Sequence, residues 1–334
     1  MTKTPDVYLS ASEHSVLWAT YMNDTMSICG IQYFLKHAAD EELRTLLVFA
    51  EEISHTHIDK IKKIYVEANY PVPQGFTESD VNLSAPRLFS DTIMLDYMLN
   101  MAKLGLNAFG IALSHSERED TMAFFSDCLM EMKELHNRTK VLAQKKGLYV
   151  RSPQLPTPTG IEFVHKQSFL GGLFSEKRPL IANEISNLTY NISRNVLGKA
   201  LIMGFSQVAK SEDVQKYFIR GRDIAQKQID IFSKLLNDNY LPTPMIMDSE
   251  VTDSQIPPFS EKLMMFHIAA LTATGIGQYG ISVSQSPRRD IAAIYTRLAA
   301  EIGHYAEDGA NIMIANGWME KPPHAADREA LAQT

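Results

Sequence analysis

PVPQGFTESDVNLSAPRL, residues 71–88, decides how the helices on either side of it are arranged. Its prolines, glycine and polar residues interrupt two long helical patterns and can continue neither. Before it, helical periodicity runs over about 11–37 and 40–69; after it, over about 88–115 and 118–146, the last closing at Gly147. A few residues join the first helix to the second and the third to the fourth, so each pair reads as an antiparallel hairpin. The 18 residues between the hairpins are a different kind of connection. At roughly 3.3 Å per extended residue they reach about 60 Å, whereas a helix of about 28 residues is about 42 Å long. The segment can therefore cross the whole length of a four-helix bundle, which an up-down-up-down arrangement would not require.

The same plan occurs twice. At an offset of 171, Glu13, Leu17, Ile31, Phe34 and Ile58-Asp59 meet Glu184, Leu188, Ile202, Phe205 and Ile229-Asp230. At an offset of 170, Asn69-Tyr70, Phe89-Ser90, Gly105, Glu131 and Gly147 meet Asn239-Tyr240, Phe259-Ser260, Gly275, Glu301 and Gly317. Strand-like alternation is absent, and the third helix is apolar nearly all round, which implies deep burial. The fold class is therefore all-α, as two tandem ferritin-like four-helix bundles, each with one long crossover connection. The first bundle takes residues 1–151 and the second 179–334; between them, 152–178 form a linker opened by SPQLPTPTG and an arm carrying FLGGLF (169–174), read as packing between the bundles.

Apolar residues make up 45% of the chain and charged residues 21%, the balance of a globular protein. A net charge of −7 leaves no basic field for nucleic acid. MTKTPDVYLS carries no apolar leader, and no run is long enough to span a bilayer, so the expected location is the cytoplasm. Cys29 and Cys128, the two cysteines, lie in apolar helical patterns and read as small core residues without a disulfide.

Chemistry concentrates in EEISHTHIDK (51–60), where Glu52-x-x-His55 overlaps His55-x-His57. Neighbours two apart on a helix are turned by about 200°, so His55 and His57 cannot share an ion. Projection puts His57 on the apolar stripe of Leu43, Leu47, Ala50, Ile61 and Ile64, and Glu52 and His55 outside. Asp24 and Glu13 face inward on the first helix; on the fourth, His136 faces inward and Glu131 lies at the edge of the apolar stripe. Ser10 with Glu13 has the spacing of a capping box, which accounts for Glu13. Asp24, His57 and Glu131 come to one level of the bundle. They form either a site for iron, manganese or zinc or a hydrogen-bonded polar layer without metal. In the second copy their equivalents are Asn195, Gln228 and Glu301, and the weaker metal candidates there are Glu301, His267 and His304. GIGQYG (275–280) reads as helix whose small residues permit close packing, not as a phosphate loop, and no Ser/His/Asp set emerges.

YMNDTMSICGIQYFL (21–35), GFTESDVNLSAPRLFSDTIMLDYM (75–98) and RLAAEIGHYAEDGANIMIANGWMEKPP (297–323), together with the tandem halves, resemble a family of ferritin-like proteins from Bacillus-type spore formers, some of them labelled spore-coat-like. The resemblance implies paired ferritin-like bundles and supplies no catalytic residues. The full di-iron pattern, two Glu-x-x-His helices per bundle, is missing here. Two functions follow as expectations: a ferritin-like protein binding a transition metal in its first bundle, or a metal-free structural or interaction protein tied to sporulation. Its partners would be further copies of the chain or spore-coat proteins.

Overall fold

A computed structural model describes residues 8–172 and 177–333. The first repeat forms α1 (Ala11–His37), α2 (Glu41–Glu67), α3 (Asp91–Ser114) and α4 (Glu119–Lys145). The second forms α5 (Ala182–Val208), α6 (Glu212–Asn237), α7 (Glu261–Ser284) and α8 (Arg289–Ala315), and a short α9 (Arg328–Ala332) follows. The helix limits agree with the sequence reading to within a few residues. Ser10 caps α1 and receives the Glu13 N–H, while Glu13 accepts from the Ser10 N–H, completing the capping box. Gly147 and Gly317 end α4 and α8 at φ of 70° and 66°, left-handed positions where glycine carries no Cβ penalty.

The segment after α2 is the crossover that its length allows, and α1 is its track. The Tyr70 ring packs at a tilt against His14, with 4.1 Å between ring centroids. The Phe76 N–H donates to Thr25 Oγ1 at 3.2 Å, and Cys29 Sγ donates to the Thr77 carbonyl at 3.4 Å. Further on, Tyr33 donates to the Pro86 carbonyl at 2.6 Å and accepts from the Leu88 N–H at 2.8 Å. Asp91 finally receives the N–H groups of Ala39 and Asp40. The contacts advance from the start of α1 to its end, so α3 begins where α1 stops. This makes α2 and α3 parallel and packs α2 against α4.

The two crossovers also hold the bundles together. Val81 bridges to Phe259 and Phe89 to Val251, antiparallel and reciprocal at the repeat offset of 170. Backbone hydrogen bonds at Asn82–Pro258, Asp80–Ser260, Ser90–Glu250 and Leu88–Thr252, 2.8 to 3.0 Å long, complete this pseudo-two-fold joint. An apolar core runs continuously through it, from Phe34, Leu88 and Phe89 to Phe205, Leu263 and Ile268. Phe89 lies so close over Gly204 that a Cβ there would enter its ring.

The described part of the arm, up to Gly172, does not pack between the bundles. Phe169 stacks under the Arg178 guanidinium at 4.2 Å and its carbonyl receives Arg178 Nε, while Gly172 abuts Asp290. These residues cap the N-terminal end of the second bundle, at the opposite end of α5 from Gly204, because buried Glu184 and Asp290 supply anchoring charges there. Leu173 and Phe174 of FLGGLF, like MTKTPDV at the start, lie outside the described residues. GIGQYG is helical as expected, yet of its glycines only Gly275 meets another helix, with Ile302 Cδ1 at 3.5 Å from a Cβ built there; Gly277 and Gly280 face open space.

Gly204→Ala should destabilise the protein by about 1–3 kcal/mol, the usual cost of overfilling a packed site. Denaturant unfolding measures this; a variant as stable as the parent would show that the joint is not tightly packed.

Candidate metal centre

Three helices bring their polar residues to one level of the first bundle. His57 projects from α2 into the core and is 1% exposed. Its Nδ1 lies 3.0 Å from Asp24 Oδ2 on α1, and its Nε2 lies 2.7 Å from Glu131 Oε2 on α4. Ser54, one turn before His57, donates to Asp24 Oδ1 at 2.9 Å and fixes that carboxylate. Phe109 and Phe124 meet the imidazole near right angles, with ring centroids at 5.6 and 5.7 Å. The ring is therefore held at both nitrogens and walled by aromatics.

Cys128 joins this group. A His57 ring nitrogen, Cys128 Sγ and a Glu131 carboxylate oxygen all lie within 4.8 Å of one another, a thiol, an imidazole and a carboxylate converging on one point. Sequence reading placed Cys128 among inert core residues. The signal that could have found it is its spacing: Cys128 lies three residues before Glu131, one turn away on the same face of α4.

The geometry also divides the expected set of Asp24, His57 and Glu131. The two carboxylates approach opposite edges of the imidazole, and one ion bonded to a ring nitrogen cannot reach both. Glu131 lies at Nε2, and Asp24 lies on the other side of the ring, at Nδ1. Burial by itself would lower the His57 pKa. Hydrogen bonds from Asp24, Cys128 and Glu131 outweigh it and push the imidazole up to about 12, so without a metal His57 is a buried imidazolium between two carboxylates. Burial raises the Cys128 thiol, and its hydrogen bond to His57 works in the opposite direction.

Glu52 and His55 face outward as projection requires, His55 standing 3.8 Å from Glu51 at the surface. Glu13 is fully buried but lies at the bundle end, accepting from Glu117 N–H, Arg118 N–H and Thr121 Oγ1. Burial would raise its pKa, yet the Thr121 hydroxyl and the backbone donors hold it down at about 2. His136 is half-buried on α4, where burial lowers its pKa.

The second-bundle candidates are not brought together. Glu301 pairs with Lys227 at 2.6 Å, and His304 is exposed on the outer face of α8. His267 lies at the joint between bundles, 3.2 Å from the hydroxyl of Tyr97, its own equivalent in the first repeat. Burial pushes its pKa down to about 4, and it is a neutral packing residue. At the level equivalent to His57, a neutral chain replaces the ions: Asn195 Nδ2 donates to the Tyr279 hydroxyl at 3.0 Å, which donates to Gln228 Oε1 at 2.7 Å. Tyr279 stands where the first repeat has Phe109, and Leu298 where it has Cys128. The second copy has lost two of the three converging donors and rebuilt the layer without charge.

Among the described residues no helix is long and apolar enough to cross a membrane. A search of curated proteins found no match. Among solved structures, a "putative spore coat protein" from Bacillus halodurans is similar at 18% identity and a TM-score of 0.42, over 45% of this chain and 98% of that one. Residues 2–161 and 168–331 each match the family described as "Protein of unknown function (DUF3231)". The two matches take in nearly the whole chain in tandem, and the protein belongs to that family.

Proposed function

We propose that the first bundle is a ferritin-like carrier of one transition-metal ion, with His57 Nε2, Cys128 Sγ and the Glu131 carboxylate as ligands and Asp24 orienting the imidazole through Nδ1. The observation that carries this reading is the convergence of three unlike donors within 4.8 Å, backed by a carboxylate on the far ring nitrogen. That arrangement recurs around metal-bound histidines, where the outer carboxylate fixes the tautomer and raises ligand basicity. A thiolate with imidazole and carboxylate suits zinc better than manganese or iron, because the sulfur is a soft donor. Three protein ligands leave a fourth position for water or a small ligand. The Glu131 side chain is 29% exposed, so an ion can enter from the α2–α4 surface. Loading must displace the Nε2 proton and the thiol proton, and affinity should rise with pH.

One observation favours a second reading. Both nitrogens of His57 already have carboxylate partners, so the set is self-sufficient as a buried ion triad that fixes helix register. The protein would then be a metal-free scaffold, and its resemblance to spore-coat-like proteins would point to assembly with coat proteins or with its own copies.

Metal analysis of protein purified without a chelating tag separates the two. The metal reading predicts one equivalent in the parent and none in His57→Gln. Asp24→Asn should keep the ion but weaken it by about 10–100-fold. Metal-free parent protein, or full retention in His57→Gln, would remove the metal reading.

The metal-free form carries its own pH signature. A folded-state pKa near 12, against about 6.5 for a free imidazole, means that protonated His57 stabilises the fold fully below about pH 6.5. That contribution is lost as pH rises toward about 12. Between about pH 7 and 10, stripped parent protein should lose stability more steeply than His57→Gln, by at most about 1.4 kcal/mol per pH unit, the value for one proton. Parallel unfolding curves for the two proteins would show that His57 is not held as an imidazolium.

A further inference from the structure

The second bundle contains a cavity of 80 Å³ beside its neutral Asn195–Tyr279–Gln228 chain, with Arg194 in its wall. This is several times the ~10–15 Å³ that a single water needs and well below the ~300 Å³ of a drug-sized site. A ligand of a few heavy atoms fits it.

Two polar atoms there, Arg194 Nε and Gln228 Nε2, lack hydrogen-bond partners among the described residues. The Arg194 guanidinium donates from Nη2 to the Leu271 carbonyl at 3.4 Å, and its Nε has no acceptor. Among the described residues no carboxylate pairs with it; Glu301 pairs with Lys227 through Oε1, and its buried Oε2 has no hydrogen-bond partner among the described residues. Burial pulls its pKa down, with only tyrosines opposing. Gln228 is 3% exposed, and although its Oε1 accepts from Tyr279, its Nε2 has no partner. Arg194 is half-buried, yet its Nε is shut off from solvent, and an unpaired buried N–H is destabilising in general. Both residues line the same cavity, whose remaining wall includes the side chains of Ile224, Leu271 and Ile302.

The first repeat has the opposite chemistry at these positions. Arg194 replaces Asn23, Asn195 replaces Asp24, and Gln228 replaces His57. The second repeat has thus lost the Asp24 carboxylate and gained a cation one residue before it, beside a neutral layer that keeps N–H donors facing a partly apolar space. Cation, donor and aliphatic wall together match one ligand class.

We propose that the cavity of the second bundle binds a short-chain aliphatic carboxylate, its oxygens shared between Arg194 and the Gln228 amide and its alkyl part against Ile224, Leu271 and Ile302. A guanidinium presents a fork suited to a planar carboxylate. Inorganic phosphate would place a strongly hydrated dianion against the aliphatic side. This site is independent of the first bundle's metal.

The test is calorimetric titration of the full-length protein with butyrate, butyramide and inorganic phosphate in parallel, with thermal unfolding as a second readout. Butyrate should bind and raise the unfolding temperature, while butyramide and phosphate should bind at least tenfold more weakly. Arg194→Met should abolish the butyrate-induced shift and, by removing a cation that has no carboxylate partner, should unfold at or above the parent temperature without ligand. Gln228→Leu should weaken butyrate several-fold. No butyrate binding by the parent, equal binding of butyramide, tighter binding of phosphate, or unchanged butyrate affinity in Arg194→Met would each overturn the proposal. His57→Gln should bind butyrate as the parent does, so failure here is distinguishable from failure of the metal site.

Discussion

A chain that leaves α2 at one end of the bundle and must start α3 at the other has to lay its connection along the full length of a helix. Thr25, Cys29 and Tyr33 of α1 supply the acceptors, donors and contacts for that run. The consequence for the site is direct. Because the crossover makes α2 and α3 parallel, α2 packs against α4, and His57 meets Cys128 and Glu131 of that helix. The residues that would gather around His57 in an up-down-up-down bundle are different ones. The same crossovers, paired by Val81–Phe259 and Phe89–Val251, join the repeats into one core, so a single topological constraint positions both the site and the partner bundle.

The two copies keep this frame and differ in how they satisfy a polar layer inside it. In the first, an imidazole between two carboxylates is stabilised by opposite charge and by hydrogen bonds at both nitrogens. In the second, a tyrosine hydroxyl does the connecting between two amides, so no ion need be buried at that level. The exchange of Phe109 for Tyr279 is what makes the neutral version possible, since without that hydroxyl Asn195 and Gln228 would lose the donor and acceptor between them. Arg194 then stands as the charge that the second layer does not itself neutralise.

Much of this was legible in the sequence, for identifiable reasons. Helix limits, the repeat and the crossover follow from periodicity, turn residues and chain length, which are local or additive properties. The inward direction of His57 and the outward direction of His55 follow from the 100° step of a helix. What projection cannot give is the edge of a ring: Asp24 and Glu131 sit at the right height, yet which nitrogen each takes depends on the imidazole's orientation, set by Ser54, Phe109 and Phe124. Cys128 escaped notice because burial in an apolar stripe is the ordinary condition of a cysteine. The surroundings of His267 belong to the other repeat, through Tyr97 across the joint, and contacts between bundles leave no mark in the periodicity of one helix.

In the proposed site His57, Cys128 and Glu131, and not Asp24, hold a single ion in the first bundle. X-ray absorption on the zinc-loaded protein tests it most directly, because it counts sulfur and imidazole neighbours. One sulfur at about 2.3 Å and one imidazole nitrogen at about 2.0–2.1 Å are expected, with oxygen completing the shell, the sulfur being lost in Cys128→Ser. A shell of nitrogen and oxygen alone in the parent protein would contradict it.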